Sequence, residues 1–140
     1  MNYIYAITFI LVRSDGKILM QKRDDGRGKE IPYPNMWCFP GGGKESGESH
    51  IETTVREIKE EYGLDVPIDS CKLIFSYDHD NNLGDQVFAC EVPQDASPKL
   101  YEGAEMRWMT MEEIKKLQLA WQQNKVLDQI EGDIESMIKK

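Results

Sequence analysis

Residues 40–64 read PGGGKESGESHIETTVREIKEEYGL, and the second half of this stretch decides the fold. Ser49-His50-Ile51-Glu52 has the Ser-x-x-Glu form of a capping box, and Gly63 stands where a helix would stop. Turning 100° per residue from Ile51, the side chains of Val55, Ile58 and Tyr62 fall at about 40°, 340° and 20°. They make one apolar stripe that must face a core. On the same wheel Glu57, Glu60 and Glu61 fall at about 240°, 180° and 280°, on the opposite side. Glu57 is three residues from Glu60 and four from Glu61, and each such like-charged pair costs about 0.2–0.5 kcal/mol in an isolated helix. A helix seeking only solubility would alternate its signs. Three carboxylates within one arc instead offer oxygen ligands to a divalent cation. A solvated acidic face is the commoner meaning of such a cluster taken alone, and the residues around it decide against that meaning.

Upstream, Gly42 is followed after five residues by Glu48, and after seven more by Arg56-Glu57-Ile58-Lys59-Glu60-Glu61-Tyr62-Gly63-Leu64. This resembles the complete Nudix box, with every fixed position and both aliphatic positions matched. Chance agreement is on the order of 10⁻⁹ per window at background residue usage. Trp37-Cys38-Phe39-Pro40 before the box, and Trp108-Met109-Thr110 before an acidic helix start, also look like the family.

The resemblance implies an α+β fold of the α/β/α sandwich type, a mixed β-sheet between helices, with residues 1–140 as a single Nudix domain. It implies an enzyme that hydrolyses a nucleoside diphosphate linked to another moiety, with Mg²⁺ as cofactor and Mn²⁺ as a substitute. By the same resemblance Glu57, Glu60 and Glu61 are metal ligands, and the Gly41 carbonyl completes the shell. Glu48 and Arg56 would lock the glycine loop onto the helix, while Gly42 and Gly43 let the backbone turn sharply and approach the metal. A further ligand in the family is often an acidic residue outside the box. Glu102, six residues before Trp108, resembles that position, and Glu105 is its competitor. The catalytic proton acceptor stays open among Glu57, Glu61 and Glu102.

Composition agrees with this class. Of 140 residues, 17 are Lys or Arg and 25 are Asp or Glu, a net charge of −8. The chain is 40% hydrophobic and 30% charged, as expected of an ordinary globular protein. The acidic balance argues against a nucleic-acid polymer or an anionic membrane as partner. A pyrophosphate approaching such a chain is repelled unless cations intervene. The longest apolar run, Tyr3 to Val12, has about half the ~20 residues of a membrane span and does not read as a signal peptide. Cys38, Cys71 and Cys90 are odd in number with no close pairing along the sequence, which points to a reducing cytoplasm. With only His50 and His79, the count argues against a zinc site of His and Cys and for oxygen ligands. His79, alone in Asp78-His79-Asp80-Asn81-Asn82, reads as a solvated loop histidine.

Along the chain, Ile4 to Val12 reads as a buried strand that returns through Ser14-Asp15-Gly16-Lys17 as a hairpin with Ile18 to Lys22. Asp24 to Asn35 reads as a loop and Trp37 to Pro40 as a short strand before a turn at Gly41-Gly42-Gly43. Leu73 to Tyr77, Gln86 to Val92 and Met106 to Met109 read as strands. Thr110-Met111-Glu112-Glu113 offers a second capping box. A final helix from about Trp121 puts Val126, Leu127, Ile130, Ile134 and Met137 on one face.

Substrate choice rests on elimination. The proline about sixteen residues beyond the box that marks many ADP-ribose members is absent from Asp78 to Asn82. Tyr77, thirteen residues past Leu64, is a poor match for the tyrosine of dinucleoside-polyphosphate members, and the NADH-type motif is missing. The reading leans to a nucleoside triphosphate, ordinary or oxidised, cleaved to monophosphate and pyrophosphate. The alternatives are ADP-ribose or a nucleotide sugar, a dinucleoside polyphosphate, and, from another class, a catalytically silent Nudix-fold nucleotide-binding module. Tyr3, Tyr5, Trp37, Phe75, Tyr77 and Phe88 are candidates to stack on a base, each competing with a role in the core.

Overall fold

The computed structural model describes residues 6–76, 86–101 and 103–138. Glu102, His79, Tyr77, Tyr3, Tyr5 and the segment 78–82 lie outside the described residues. β1 (Ile7–Arg13) is buried along nearly its whole length, so both of its faces must be covered. Its side chains alternate accordingly. Ile7, Phe9 and Leu11 pack with Ile58 and Tyr62 of α1 (His50–Tyr62) on one side of the sheet. Ile10 and Val12 pack on the other side with Ile114 of α2 (Met111–Lys115) and with Leu127, Ile130, Ile134 and Met137 of α3 (Leu127–Ile138). Two cores separated by one mixed sheet give the α/β/α sandwich, in the α+β class that the sequence implies.

The sheet's layout creates the site. β2 (Ile18–Lys22) joins β1 through the expected turn but is paired with it only where Val12 meets Ile18. Beyond that point the strands splay. β2 runs antiparallel to β7 (Glu105–Met109) over its full length, from Ile18↔Met109 to Lys22↔Glu105. On its other edge, β1 runs parallel to β6 (Gln86–Val92), which is flanked by β5 (Cys71–Ser76). Into the wedge between β1 and β2 enter β3 (Trp37–Cys38), paired with β2, and β4 (Gly41–Gly42), paired with β1. The glycines at 41 and 42 are therefore strand, not the turn that three consecutive glycines suggest. Their lack of side chains is what lets a strand lie this close to β1, because a Cβ at Gly41 would stand 2.3 Å from the Ile7 carbonyl oxygen.

The C-terminal helix also departs from the sequence reading. Residues Ala120–Val126 form a 3₁₀ segment in which Trp121 (φ 54°) and Gln122 (φ 56°) are left-handed, and α3 begins only at Leu127. Left-handed backbone at non-glycine residues costs roughly 1–2 kcal/mol each, so packing must hold it. Trp121 is buried in a satellite cluster with Cys38 and Ala120, against Tyr33 and Met36. Helical periodicity carries no trace of that constraint. Among the described residues no helix is long and apolar enough to cross a membrane.

Candidate active site

α1 forms as its sequence dictates. Ser49 Oγ accepts from the Glu52 amide, Glu52 returns the bond to the Ser49 amide, and Gly63 closes the helix in a left-handed cap. Ile58 and Tyr62 are fully buried. The stripe is wider than the apolar pattern shows, because Thr53 and Thr54 are buried as well, their hydroxyls bonded to helix carbonyls of Ser49 and His50.

Arg56 organises the acidic face. Its guanidinium donates through Nε (2.6 Å) and Nη2 (2.9 Å) to the two oxygens of Glu48, a fork-to-fork pair. Nη2 also donates to the Gly43 carbonyl at 2.7 Å, which ties the glycine segment to the helix. Nη1 reaches Glu57 at 2.9 Å and Glu60 at 3.0 Å. One cation thus relieves the repulsion between Glu57 and Glu60. These bonds, the Glu45 amide and the Thr53 hydroxyl hold the Glu48 carboxyl down to about 2, and the Arg56 guanidinium is correspondingly raised.

Glu57 lies against the glycine strand. A Cβ at Gly42 would fall 2.1 Å from the Glu57 carboxyl carbon, so any side chain there would evict the carboxylate. Gly41, Gly42, Glu57 and Glu61 line a cavity of about 490 Å³, which opens at the wedge between the splayed strands. The Oε2 atom of Glu61 is shielded from solvent. Gln21, Arg23, Asp24, Cys38 and Gly103 line the cavity too. Glu60 does not; its side chain is 56% exposed and faces Arg56. Glu105 is also elsewhere, ion-paired with Arg107 on the surface. Glu102 lies outside the described residues, though its neighbours Tyr101 and Gly103 both line the cavity.

The fit to a divalent cation can be judged from these groups. Among the described residues no three Asp, Glu, His or Cys side chains gather into a cage for a metal ion. Mg²⁺ does not require one, because it is commonly bound by one or two carboxylates together with substrate phosphates and water. Two carboxylates beside a glycine backbone, with a cradle at Gly42 that admits no side chain, fit that donor set.

Sequence reasoning missed three contributors. Arg23 is half-buried in the cavity wall, its guanidinium 4.6 Å from the centre of the Trp121 ring and its Nε donating to the Pro32 carbonyl. Gln21 is fixed by Tyr62, whose hydroxyl donates to Gln21 Oε1 at 2.6 Å. Gln123, 2% exposed, accepts the Phe39 amide at 2.8 Å and so anchors the strand that carries Gly41 and Gly42. Each depends on contacts distant along the chain, and Gln123 stands among Gln122, Asn124 and Lys125 with nothing in the sequence to set it apart. Of the candidates to stack on a base, Phe88 is core, while Trp37 and Phe75 pack against core. Cys38 lines the cavity, but burial pushes its thiol up to about 12, which leaves it protonated and inert.

A mixed sheet between helices, with a glycine strand laid against an Arg-Glu helix, is the fold shared with the Nudix hydrolases, which act on phosphorus-containing acid anhydrides. The chain belongs to the Nudix family: the NUDIX domain model matches residues 2–130. It is similar to the uncharacterized Nudix hydrolase YvcI of Bacillus subtilis, 25% identical over 91% of this chain and 80% of that protein. It is also similar to the nucleoside triphosphatase NudI of Escherichia coli, 45% identical over 53 residues that make up 38% of this chain and 36% of NudI. A MutT structure, from work on the Aliivibrio salmonicida and Vibrio cholerae proteins, superposes with a TM-score of 0.72 at 26% identity, covering 92% of this chain and 97% of that one.

Proposed function

We propose that this protein is a divalent-metal-dependent pyrophosphohydrolase that cleaves a nucleoside triphosphate, ordinary or oxidised, to the monophosphate and pyrophosphate. The observation that carries the reading is the composition of one cavity: Glu57, Glu61 and the Gly41–Gly42 backbone line it together with the stacked guanidinium of Arg23. Carboxylates repel a polyphosphate unless a cation lies between, so carboxylates and a guanidinium lining one cavity suit a metal–phosphate complex.

Glu57, Glu61 and the Gly41 carbonyl would hold the metal, with Glu102 as a further ligand we assign; Glu60, paired with Arg56 outside the cavity, would join them only by leaving that ion pair. When bound, Mg²⁺ or Mn²⁺ neutralises phosphate charge and lowers the pKa of water. Arg56 fixes Glu57 in place, and Glu48 fixes Arg56. Glu57, Glu61 or Glu102 accepts the proton of the attacking water. Arg23, held rigid by Trp121 and Pro32, positions a phosphate at little entropic cost. The preference for a triphosphate is supported by the local likeness to NudI and by the sequence eliminations. We further place the protein in a reducing cytoplasm, on its three free cysteines, with neither a membrane nor a nucleic-acid polymer as partner.

The test is a nucleotide panel at fixed Mg²⁺, with products resolved by chromatography and pyrophosphate read through added inorganic pyrophosphatase. Nucleoside triphosphates should turn over fastest, releasing orthophosphate only when the pyrophosphatase is present. Excess chelator should abolish turnover, and Mg²⁺ or Mn²⁺ should restore it. Faster hydrolysis of ADP-ribose or a dinucleoside polyphosphate would overturn the substrate assignment. Binding of nucleotide without hydrolysis of any would overturn the enzymatic one.

A further inference from the structure

Cys71 and Cys90 are direct partners across the antiparallel pair of β5 and β6. Directly opposed residues project from the same face, with Cα atoms about 4.5–5.5 Å apart. That spacing falls inside the roughly 4.4–6.8 Å that a disulfide requires. Both side chains lie in the core beneath α1, with Ile58, Val66 and Phe88. Their sulfurs face each other across the two strands, and both cysteines are free thiols. Cys90 is fully buried, whereas Cys71 keeps 9% of its surface exposed. Neither lines the cavity of Glu57 and Glu61, so the proposed hydrolysis makes no use of them.

We propose that Cys71 and Cys90 are a redox modification site that closes to a cross-strand disulfide when the protein meets a low-molecular-weight disulfide such as oxidised glutathione. Cys71 attacks first, being the less buried of the two and at the edge strand. Cys90, fully buried, is held protonated by burial and serves as the resolving thiol. Attack of the Cys71 sulfur on one sulfur of oxidised glutathione breaks the external disulfide, forms a mixed disulfide and releases one glutathione, which takes the proton of Cys71. The Cys90 sulfur then displaces the second glutathione from Cys71, and its proton leaves with that thiol. Two electrons pass from the protein sulfurs to the oxidant, and no other reactant is needed. Because the residues already face each other, the bond closes without moving either strand. It ties β5, at the end of the strand order β3-β2-β1-β6-β5, to its neighbour.

The test uses the wild-type protein, treated with oxidised glutathione, desalted, denatured and labelled with a maleimide polymer. One adduct per chain, from Cys38, should replace the three of the reduced protein. Peptide mapping should find Cys71 joined to Cys90 without retained glutathione. The oxidised protein should melt roughly 5 °C or more above the reduced form, and dithiothreitol should reverse the change. Three adducts after oxidation, glutathione retained on Cys71, or a crosslink through Cys38 would overturn the proposal. The readouts are covalent and thermal, so they stand whatever the enzyme hydrolyses.

Discussion

Arg56 makes the residue scale legible, because one guanidinium meets Glu48, Glu57, Glu60 and the Gly43 carbonyl. Lysine could not reproduce this, having neither the fork nor enough directed donors. The pairing has a pH consequence whose sign is fixed. Arg56 first, then the Glu45 amide, lowers the Glu48 carboxyl from its ordinary 4.5 to about 2. A carboxyl depressed in the folded state contributes stability that is complete above its unfolded pKa and disappears as pH falls through the folded value. Wild type should therefore melt above Glu48→Gln at pH 7, and the gap should narrow as pH falls from about 5 towards 2. Thermal melts of both proteins across that window check this, and a constant gap would show that Glu48 acts without its charge. The box residues were legible because their types and spacing are local. Arg23 was not, because what holds it is a ring 98 positions further along the chain.

Elements behaved as their local signals dictated wherever the signals were local. Both capping boxes formed, at Ser49 with Glu52 and at Thr110 with Glu113, and the 14–17 turn joined β1 to β2. Two elements obeyed long-range packing instead. Three glycines in sequence carry no propensity for a strand, yet 41 and 42 pair with β1 because the splay of β1 from β2 leaves a slot only glycine can enter. The helix expected from about Trp121 starts instead at Leu127, because Trp121 is buried beside Cys38 in a left-handed backbone that no helix can continue. Gln123 links these two elements through the Phe39 amide. Gln123→Met keeps the volume but leaves that buried N–H without its acceptor, at a cost of about 1–3 kcal/mol. Gln122→Met, at an exposed neighbour, should stay within about 0.5 kcal/mol. Urea unfolding of the two variants should separate them in that order, and equal losses would remove Gln123 from the support of the glycine strand.

For the molecule as a whole, a net charge of −8 and an acidic helix would be a poor design for binding polyphosphate without a cation. The layered fold was legible from the alternation of strands and helices and from the box. The cavity was not, since it arises where β1 and β2 part, and strand divergence leaves no mark in a hydrophobic pattern. The central claim is that the carboxylates at this cavity exist to hold metal rather than to stabilise the helix. Melting of wild type and Glu61→Gln, with chelator and with Mg²⁺, tests it most directly. In chelator the variant should be as stable as wild type, or better by the ~0.2–0.5 kcal/mol of relieved repulsion between positions 57 and 61. With Mg²⁺ at a hundred times its dissociation constant, wild type should gain about 2.7 kcal/mol and the variant less, so that the rank order inverts. A Glu61→Gln protein destabilised by more than about 1 kcal/mol in chelator, with no added loss in Mg²⁺, would contradict the account and mark Glu61 as part of the scaffold.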